Sequence, residues 1–120
     1  MRLLLIALAG GLGAGTRFWL DGVIARRNRT GVPLGTLLIN VTGSFLLGWL
    51  TGWAVGGDPD GSVKAVLGTG FLGGYTTFSA ASVEGVRLVR AGRPWAAAVH
   101  AGGMLALGMG AAGIGLALAP

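Results

Sequence analysis

The sequence predicts an all-α integral membrane protein, a single transmembrane domain of four helices in which the third helix is broken. Only 11% of its 120 residues are charged and 52% are hydrophobic, whereas a soluble domain has about a quarter charged residues. Four apolar segments are long enough for a membrane helix, which takes about 20 residues. They span roughly residues 3–25, 33–55, 63–89 and 94–119. In the third of them, glycines and hydroxyl side chains interrupt the apolar run.

The first segment is predicted to be a membrane helix and not a cleaved signal peptide. Its apolar run is long, and no small-residue cleavage site follows it. Arg17 and Asp21 lie four residues apart, so they share a helix face and can pair. A neutralised pair near a helix end explains them as well as a functional role does.

The second segment carries Asn40 in mid-helix, within "GTLLINVTGSFLLG". An amide in hydrocarbon needs a partner on another helix or a polar path to line. The sequence leaves both interpretations open, as an interhelical hydrogen bond or as a ligand contact.

The third segment contains the polar stretch "GFLGGYTTFSAASVE", Gly70 to Glu84. Gly73 and Gly74 weaken a helix, and the following threonines can bond freed backbone groups, so a break is expected here. Broken backbone at membrane depth is tolerated where it is buried in protein or lines a cavity, and its carbonyls can coordinate a cation.

Phe78 and Ser79 follow the expected break directly. A hydroxyl can donate a hydrogen bond to an anion, and an aromatic ring has a positive edge. Taken alone, however, a phenylalanine here most often serves packing. Near the end of the segment, Arg87 or Arg90 could neutralise Glu84.

The fourth segment begins at Pro94, which suits the first turn of a helix. It contains His100, the only histidine of the chain, among glycines and alanines. Without a second His, Cys or acid nearby, a metal site is improbable, and we interpret His100 as a packing or interfacial residue.

Glycine pairs spaced four apart predict close packing between helices and, for helices this short, an oligomer. The pairs are Gly11 with Gly15, Gly48 with Gly52, and Gly70 with Gly74. The glycines around "GGLGAG" do not form a nucleotide-binding loop, since no strand precedes them and no Lys-Ser/Thr pair follows.

The basic residues predict topology and not nucleic-acid binding. Six arginines lie in the first and third loops against two basic residues on the other side. By the positive-inside rule both termini are then outside the cytoplasm. The chain has no Cys, and it offers no nucleophile-base pair, so an enzyme is not expected.

Three segments resemble the signatures of the Fluc/CrcB fluoride channels, in that family's order and spacing. They are "GGLGAGTRF" (residues 10–18), "GTLLINVTGSFLLG" (35–48) and "GFLGGYTTFS" (70–79). The resemblance implies a plasma-membrane dimer of two chains in opposite orientations, with two fluoride paths that use residues of both chains.

By match to the family's motifs, Asn40, Phe78 and Ser79 would lie along the fluoride path. The carbonyls of Gly73 and Thr76 would hold a structural sodium ion on the two-fold axis. Arg17 matches the arginine of the first signature and Glu84 the acid that ends the third.

The chain departs from the family's "TTFSTFSxE" at two positions, where Ala80 replaces a Thr and Ala81 replaces the second Phe. In the fourth helix, His100 and Met104 stand where the family tends to have Tyr and Ser. Together with the asymmetric charges, these departures favour one half of a heterodimer, in which a second family member is the partner, over a homodimer.

Two alternatives stay open beside a passive fluoride exporter. A small multidrug exporter also has four short helices in an antiparallel dimer, but it needs an acid in the first helix as its proton site, where this chain has Arg17 and Asp21. The other alternative is a non-conducting subunit that completes a partner's channel.

Overall fold

A computed structural model describes residues 1–30 and 33–120, and this part of the chain is helical throughout apart from its connections. Helices α1 (Arg2–Arg27) and α2 (Leu34–Gly57) are followed by a π-helix (Lys64–Leu72) that continues into the short α3 (Gly73–Tyr75). Helices α4 (Phe78–Arg90) and α5 (Pro94–Leu118) complete the fold.

Three helices in the described ranges, α1, α2 and α5, are long and apolar enough to cross a membrane. The remaining predicted span is divided at Thr76 and Thr77, where the backbone is extended with ψ of 158° and 121°. The predicted break is therefore confirmed, although Gly73 and Gly74, the residues expected to weaken the helix, are themselves helical.

The sequence did not predict the π-helix that leads to the break. It runs for 9 residues, and the N–H of Gly73 at its end bonds the carbonyl of Gly68, five residues earlier. π-Helices are rare and occur mostly as single turns, often beside functional sites. The wider helix carries three buried residues, Gly68, Gly70 and Leu72.

Glycines bring the helices into backbone contact in two places. A Cβ at Gly74 would collide with the carbonyl of Gly10 on α1, and a Cβ at Gly48 would collide with the carbonyl of Ala112 on α5. Gly52 and Gly70, the partners of Gly48 and Gly74 in the predicted pairs, also contact neighbouring helices. Two of the three predicted glycine pairs therefore lie at contacts between helices.

The third glycine pair does not pack within the chain. Nothing lies within 4 Å of a Cβ placed at Gly11 or Gly15. On α1 it is Gly13 that contacts the carbonyl of Phe71, so the close face of this helix is offset from the predicted pair.

The loop between α2 and the π-helix is ordered by two aspartates. Asp58 is buried and accepts hydrogen bonds from the N–H groups of Val63 and Lys64, at 3.1 and 2.8 Å. Asp60 accepts the hydroxyl of Ser62 at 2.8 Å, and that bond is the main reason that the pKa of Asp60 is lowered. These contacts satisfy N–H groups at the start of the third span.

The buried core is small and lies where α2 meets the third span, at Ile39, Leu50, Leu72 and Tyr75. The Tyr75 ring stacks on Phe71 at 6.1 Å between centroids, and its hydroxyl lies 3.0 Å from that of Thr42. Most other large apolar side chains are exposed. Such a surface suits lipid or another membrane chain and not water.

Candidate functional site: the break in the third span

The break is held by Asn40, which bonds both backbone groups of Thr77. The amide oxygen accepts the N–H of Thr77 at 2.9 Å, and Asn40 Nδ2 donates to the carbonyl of Thr77 at 3.0 Å. Nδ2 also donates to the sulfur of Met104 at 3.2 Å. A thioether is a weak acceptor, so one of the two amide donors is held only loosely.

The two carbonyls that the family resemblance implies as sodium ligands are among those that the break frees. In a continuous α-helix, Gly73 O would accept from the N–H of Thr77 and Thr76 O from the N–H of Ala80. Here the N–H of Thr77 donates to Asn40, and the N–H of Ala80 donates to the side chain of Thr77 at 3.2 Å. Each carbonyl has lost its usual helical donor.

The threonines support the break as their hydroxyls were expected to do. Thr76 Oγ1 donates to the carbonyl of Leu72 at 3.0 Å, and Thr77 Oγ1 caps the first turn of α4. Hydroxyl caps of this kind satisfy backbone groups that a helix end leaves unpaired.

Most of the predicted site residues line one half-open cavity of about 310 Å³. Asn40, Phe78, Gly73 and Thr76 all contribute to its wall, together with Ala81. Ser79 does not; it is exposed, with its hydroxyl 3.4 Å from that of Thr77. Phe78 is 88% exposed, so its ring is free to contact a neighbouring chain.

Polar side chains of α2 recur at intervals of one helical turn on the side that contacts α4 and α5, and we call this series the polar ladder. Its α2 members are Thr36, Asn40 and Ser44. Asn40 meets Met104, while a Cβ at Gly108 would lie 3.4 Å from the hydroxyl of Ser44. The four-residue spacing on α2 is visible in the sequence, but the partners on α5 are not.

At one end of the ladder, Thr36 contacts Glu84 and His100 lies beside them. Thr36 Oγ1 donates to Glu84 Oε1 at 2.8 Å, and Glu84 Oε2 lies 3.9 Å from His100 Nε2. Neither Arg87 nor Arg90 forms an ion pair with Glu84 among the described residues, although Arg87 acts on it electrostatically, and His100 from another helix lies closer. His100 is buried where α5 approaches Glu84 of α4, as a packing or interfacial residue would be.

Arg17 does not pair with Asp21, although both lie on α1. Its Nε donates to the carbonyl of Gly74 at 3.2 Å instead, and the described residues contain no ion pair between the two. The long side chain thus links α1 to the third span just before the break. Spacing along one helix could not reveal an acceptor 57 residues away.

Backbone oxygens are the candidate ligands for a cation at the break. Within residues 1–30 and 33–120 there is no group of three or more His, Cys, Asp or Glu side chains that could hold a metal. Carbonyl oxygens are suitable ligands for a hard cation, and freed helix carbonyls coordinate Na⁺ in other membrane proteins.

Apolar helices, a break at the polar cavity and a polar ladder define the class as a multi-pass helical membrane protein. The profile of the family described as "CrcB-like protein, Camphor Resistance (CrcB)" matches residues 4–116. The chain belongs to this family.

Curated relatives cover nearly the whole chain. "Fluoride-specific ion channel FluC 1" of Leifsonia xyli is 53% identical over 94% of this chain and 82% of its own length. "Fluoride-specific ion channel FluC 2" of Cutibacterium acnes is 50% identical over 98% and 97%. "Fluoride-specific ion channel FluC" of Renibacterium salmoninarum is 40% identical over 99% of both.

Proposed function

We propose that this chain is a subunit of a fluoride-selective channel that lets fluoride leave the cell passively and so relieves fluoride toxicity. The observation that carries the proposal is Asn40, which stands at the helix break beside Phe78 and has one N–H held only by a thioether. The printed names of the relatives as fluoride-specific channels support the same function.

The chemistry of the cavity suits a small, strongly hydrated anion. Fluoride gives up its water only if donors replace it, and an amide N–H, a hydroxyl and the positive edge of an aromatic ring are such donors. Asn40, Ser79 and Phe78 would supply them. Passage then depends on donors and on a narrow width that excludes larger anions.

A cellular assay tests this function. Bacteria that lack their own fluoride exporter are given this chain, with its partner where one is needed, and growth is measured at rising fluoride concentrations. We expect growth to be rescued by the wild-type chain and not by Asn40→Asp. Failure of the wild-type channel to rescue, at normal expression in the membrane, would contradict the proposal.

We also propose that the carbonyls of Gly73 and Thr76 hold a structural sodium ion. Both carbonyls have lost their helical donors, and Gly73 is exposed. Two carbonyls are too few for one ion, so an identical or related chain across a two-fold axis would supply the others. Replacing Na⁺ with a large organic cation during purification should then reduce dimer stability; unchanged stability would contradict the site.

The third part of the proposal concerns assembly: the chain pairs with a second family member of opposite orientation. The exposed ring of Phe78 and the half-open cavity beside it are compatible with an interface there. The arginine-rich loops favour a single orientation, with both termini outside. Reporter fusions at the C-terminus test this, and equal populations in both orientations would favour a homodimer instead.

Because Ala81 stands where the family has its second Phe, we expect the heterodimer to conduct fluoride through only one of its two paths. If each path takes one ring from each chain, the missing Phe leaves one path incomplete while Phe78 serves the other. Mutating Asn40 here should abolish fluoride efflux, whereas mutating its counterpart in the partner should hardly change it. Two equal half-reductions would show that both paths conduct.

A non-conducting subunit is the second candidate, favoured by the apolar residues Ala80, Ala81 and Met104 at positions where the resemblance implies polar or aromatic ones. The same pair of mutations separates it from the main proposal. If only the partner's substitutions ever affect fluoride efflux, this chain completes a channel without contributing a path.

A further inference from the structure

The contact between Glu84 and His100 leaves three buried polar atoms without hydrogen bonds. The His100 side chain is 2% exposed and that of Glu84 21% exposed, and Oε2 and Nε2 are 3.9 Å apart. Neither ring nitrogen of His100 nor Oε2 of Glu84 has a hydrogen-bond partner among the described residues. By contrast, the other carboxylate oxygen is already bound by Thr36.

A single proton resolves this arrangement. A buried carboxylate beside a neutral imidazole leaves an uncompensated charge, which is costly in a low dielectric. With one proton more, the pair is neutral overall, either as carboxylate with imidazolium or as carboxylic acid with imidazole. A small side-chain rotation would close the 3.9 Å separation to a hydrogen bond.

Few other charges act on the pair. Helix α2, which packs against both α4 and α5, carries no titratable side chain between Leu34 and Gly57. On α4, Arg87 lies near enough to act electrostatically on Glu84, as does Asp21 of α1 with the opposite sign. Arg90 lines the same groove of about 1120 Å³ as His100. His100, 3.9 Å from Glu84, is therefore the titratable group in closest contact with it among the described residues.

The pair also lies next to the proposed ion path. Thr36 precedes Asn40 by one helical turn on α2, and His100 precedes Met104 by one turn on α5. His100, Asn40 and Met104 line the same groove. A net charge on the pair therefore acts on an anion near Asn40 at a distance where the membrane interior screens little.

We propose that His100 and Glu84 share a proton and that loss of this proton slows fluoride passage beside Asn40. This inference rests on the proposed function. With the proton present the pair is neutral and a fluoride ion is not repelled. When the proton is lost, the Glu84 carboxylate is uncompensated and repels the anion, so efflux falls as pH rises.

The test is fluoride efflux from proteoliposomes at equal inner and outer pH, between about pH 5.5 and 8.5, the range in which a histidine can titrate. Protein-free liposomes at each pH give the leak of hydrogen fluoride, which is subtracted. We expect wild-type efflux to fall by at least about tenfold across the range, because a unit charge about one helical turn from the anion repels it strongly at this depth.

Two variants distinguish the shared proton from a structural role. Glu84→Gln removes the repelling charge but still accepts the Thr36 hydroxyl, so efflux should stay fast at high pH. The double variant Glu84→Gln with His100→Gln has no titratable group in the pair, so its pH profile should be flat. If the double variant keeps the wild-type pH profile, the proposal is wrong.

A spectroscopic measurement tests whether the pH dependence of efflux comes from the Glu84–His100 pair. The chain has one histidine, so ¹⁵N-labelled imidazole in lipid reports His100 alone, and its titration should coincide with the fall in efflux. Wild-type efflux that is fast but independent of pH would overturn this inference and leave the channel function intact. No efflux above the protein-free leak at any pH would overturn both.

Discussion

The two halves of the broken third span are held to the rest of the molecule by opposite means. The first half, from Lys64 to Tyr75, packs against α1 through backbone contacts at Gly70 and Gly74. The second half, α4, is tied to α2 by the bond between Thr36 and Glu84 and approaches α5 at His100. Close packing of small residues fixes the first half, and buried polar groups fix the second.

This difference shows why the span is broken at Thr76 and Thr77. The first half packs against α1 and the second half against α5. A straight helix has a single axis and could not follow both neighbours. Asn40 takes over the backbone bonds that the break removes, and its remaining N–H meets only a sulfur. The break therefore places two freed carbonyls and a loosely held donor around one cavity.

The largest expected effect comes from Asn40→Asp, at the junction of the two halves. The carboxylate can still accept from Thr77 N–H, but it cannot donate to the Thr77 carbonyl, and its charge repels an anion by several kcal/mol at close range. Fluoride efflux should fall to the protein-free level. Dimer recovery in detergent checks that assembly survives.

Asn40→Ser is the matched control for charge, since it also loses the carbonyl bond but adds no negative group. Its efflux should lie between wild type and Asn40→Asp. Undiminished flux in Asn40→Asp would mean that Asn40 only joins helices.

A smaller effect is expected in the glycine-packed half, from Gly13→Ala. A Cβ there collides with the Phe71 carbonyl, and overpacking of this kind costs about 1–3 kcal/mol. Thermal unfolding in detergent should show the loss. Gly11→Ala, two residues away in open space, is the control and should be neutral; equal losses in both would refute the assigned packing face.

The polar half is tested by Thr36→Val, which keeps the side-chain shape and removes one hydrogen bond to Glu84. Interhelical hydrogen bonds in membranes contribute about 0.6 kcal/mol on average, so the loss of stability should be smaller than for Gly13→Ala. In the Glu84→Ala background the hydroxyl has lost this acceptor, so Thr36→Val should cost little more there. A double-mutant cycle with no coupling between the two positions would contradict the contact.

The smallest effect belongs to Asp60→Asn, in the loop that begins the third span. Because hydrogen bonds from Ser62 lower the pKa of Asp60, its charged form stabilises the fold above the ordinary pKa of about 4. That contribution disappears as pH falls through the lowered value. The variant should therefore be slightly less stable than wild type at neutral pH and equal to it in acid, as unfolding measured at both pH values will show.

The sequence predicted the features that depend on local pattern. The lengths of the apolar segments predicted the bounds of α1, α2 and α5 to within a few residues. The glycines and threonines of the third segment predicted its break. The two carbonyls named from the family resemblance are among those whose helical donors are diverted. Whether Asn40 joins helices or contacts a ligand was left open, and the structure shows the first directly.

Contacts between distant segments were beyond prediction. Spacing showed that Arg17 can pair with Asp21 on its own helix, but Arg17 reaches Gly74 instead. It also showed that Arg87 could neutralise Glu84, but not that His100 of another helix lies 3.9 Å from that acid. The spacing of residues in a sequence indicates only which side chains of the same helix lie close together. The π-helix was missed because its hydrogen-bond register leaves no simple mark in an apolar, glycine-rich sequence.

The most direct test of the account is the selectivity of the purified channel. Liposomes loaded with equal fluoride and chloride, and containing this chain alone or with its partner, are diluted into a medium free of both, and the release of each anion is followed with selective electrodes. We expect rapid release of fluoride while chloride stays inside. Equal release of both anions, or no fluoride release above that of protein-free liposomes, would contradict it.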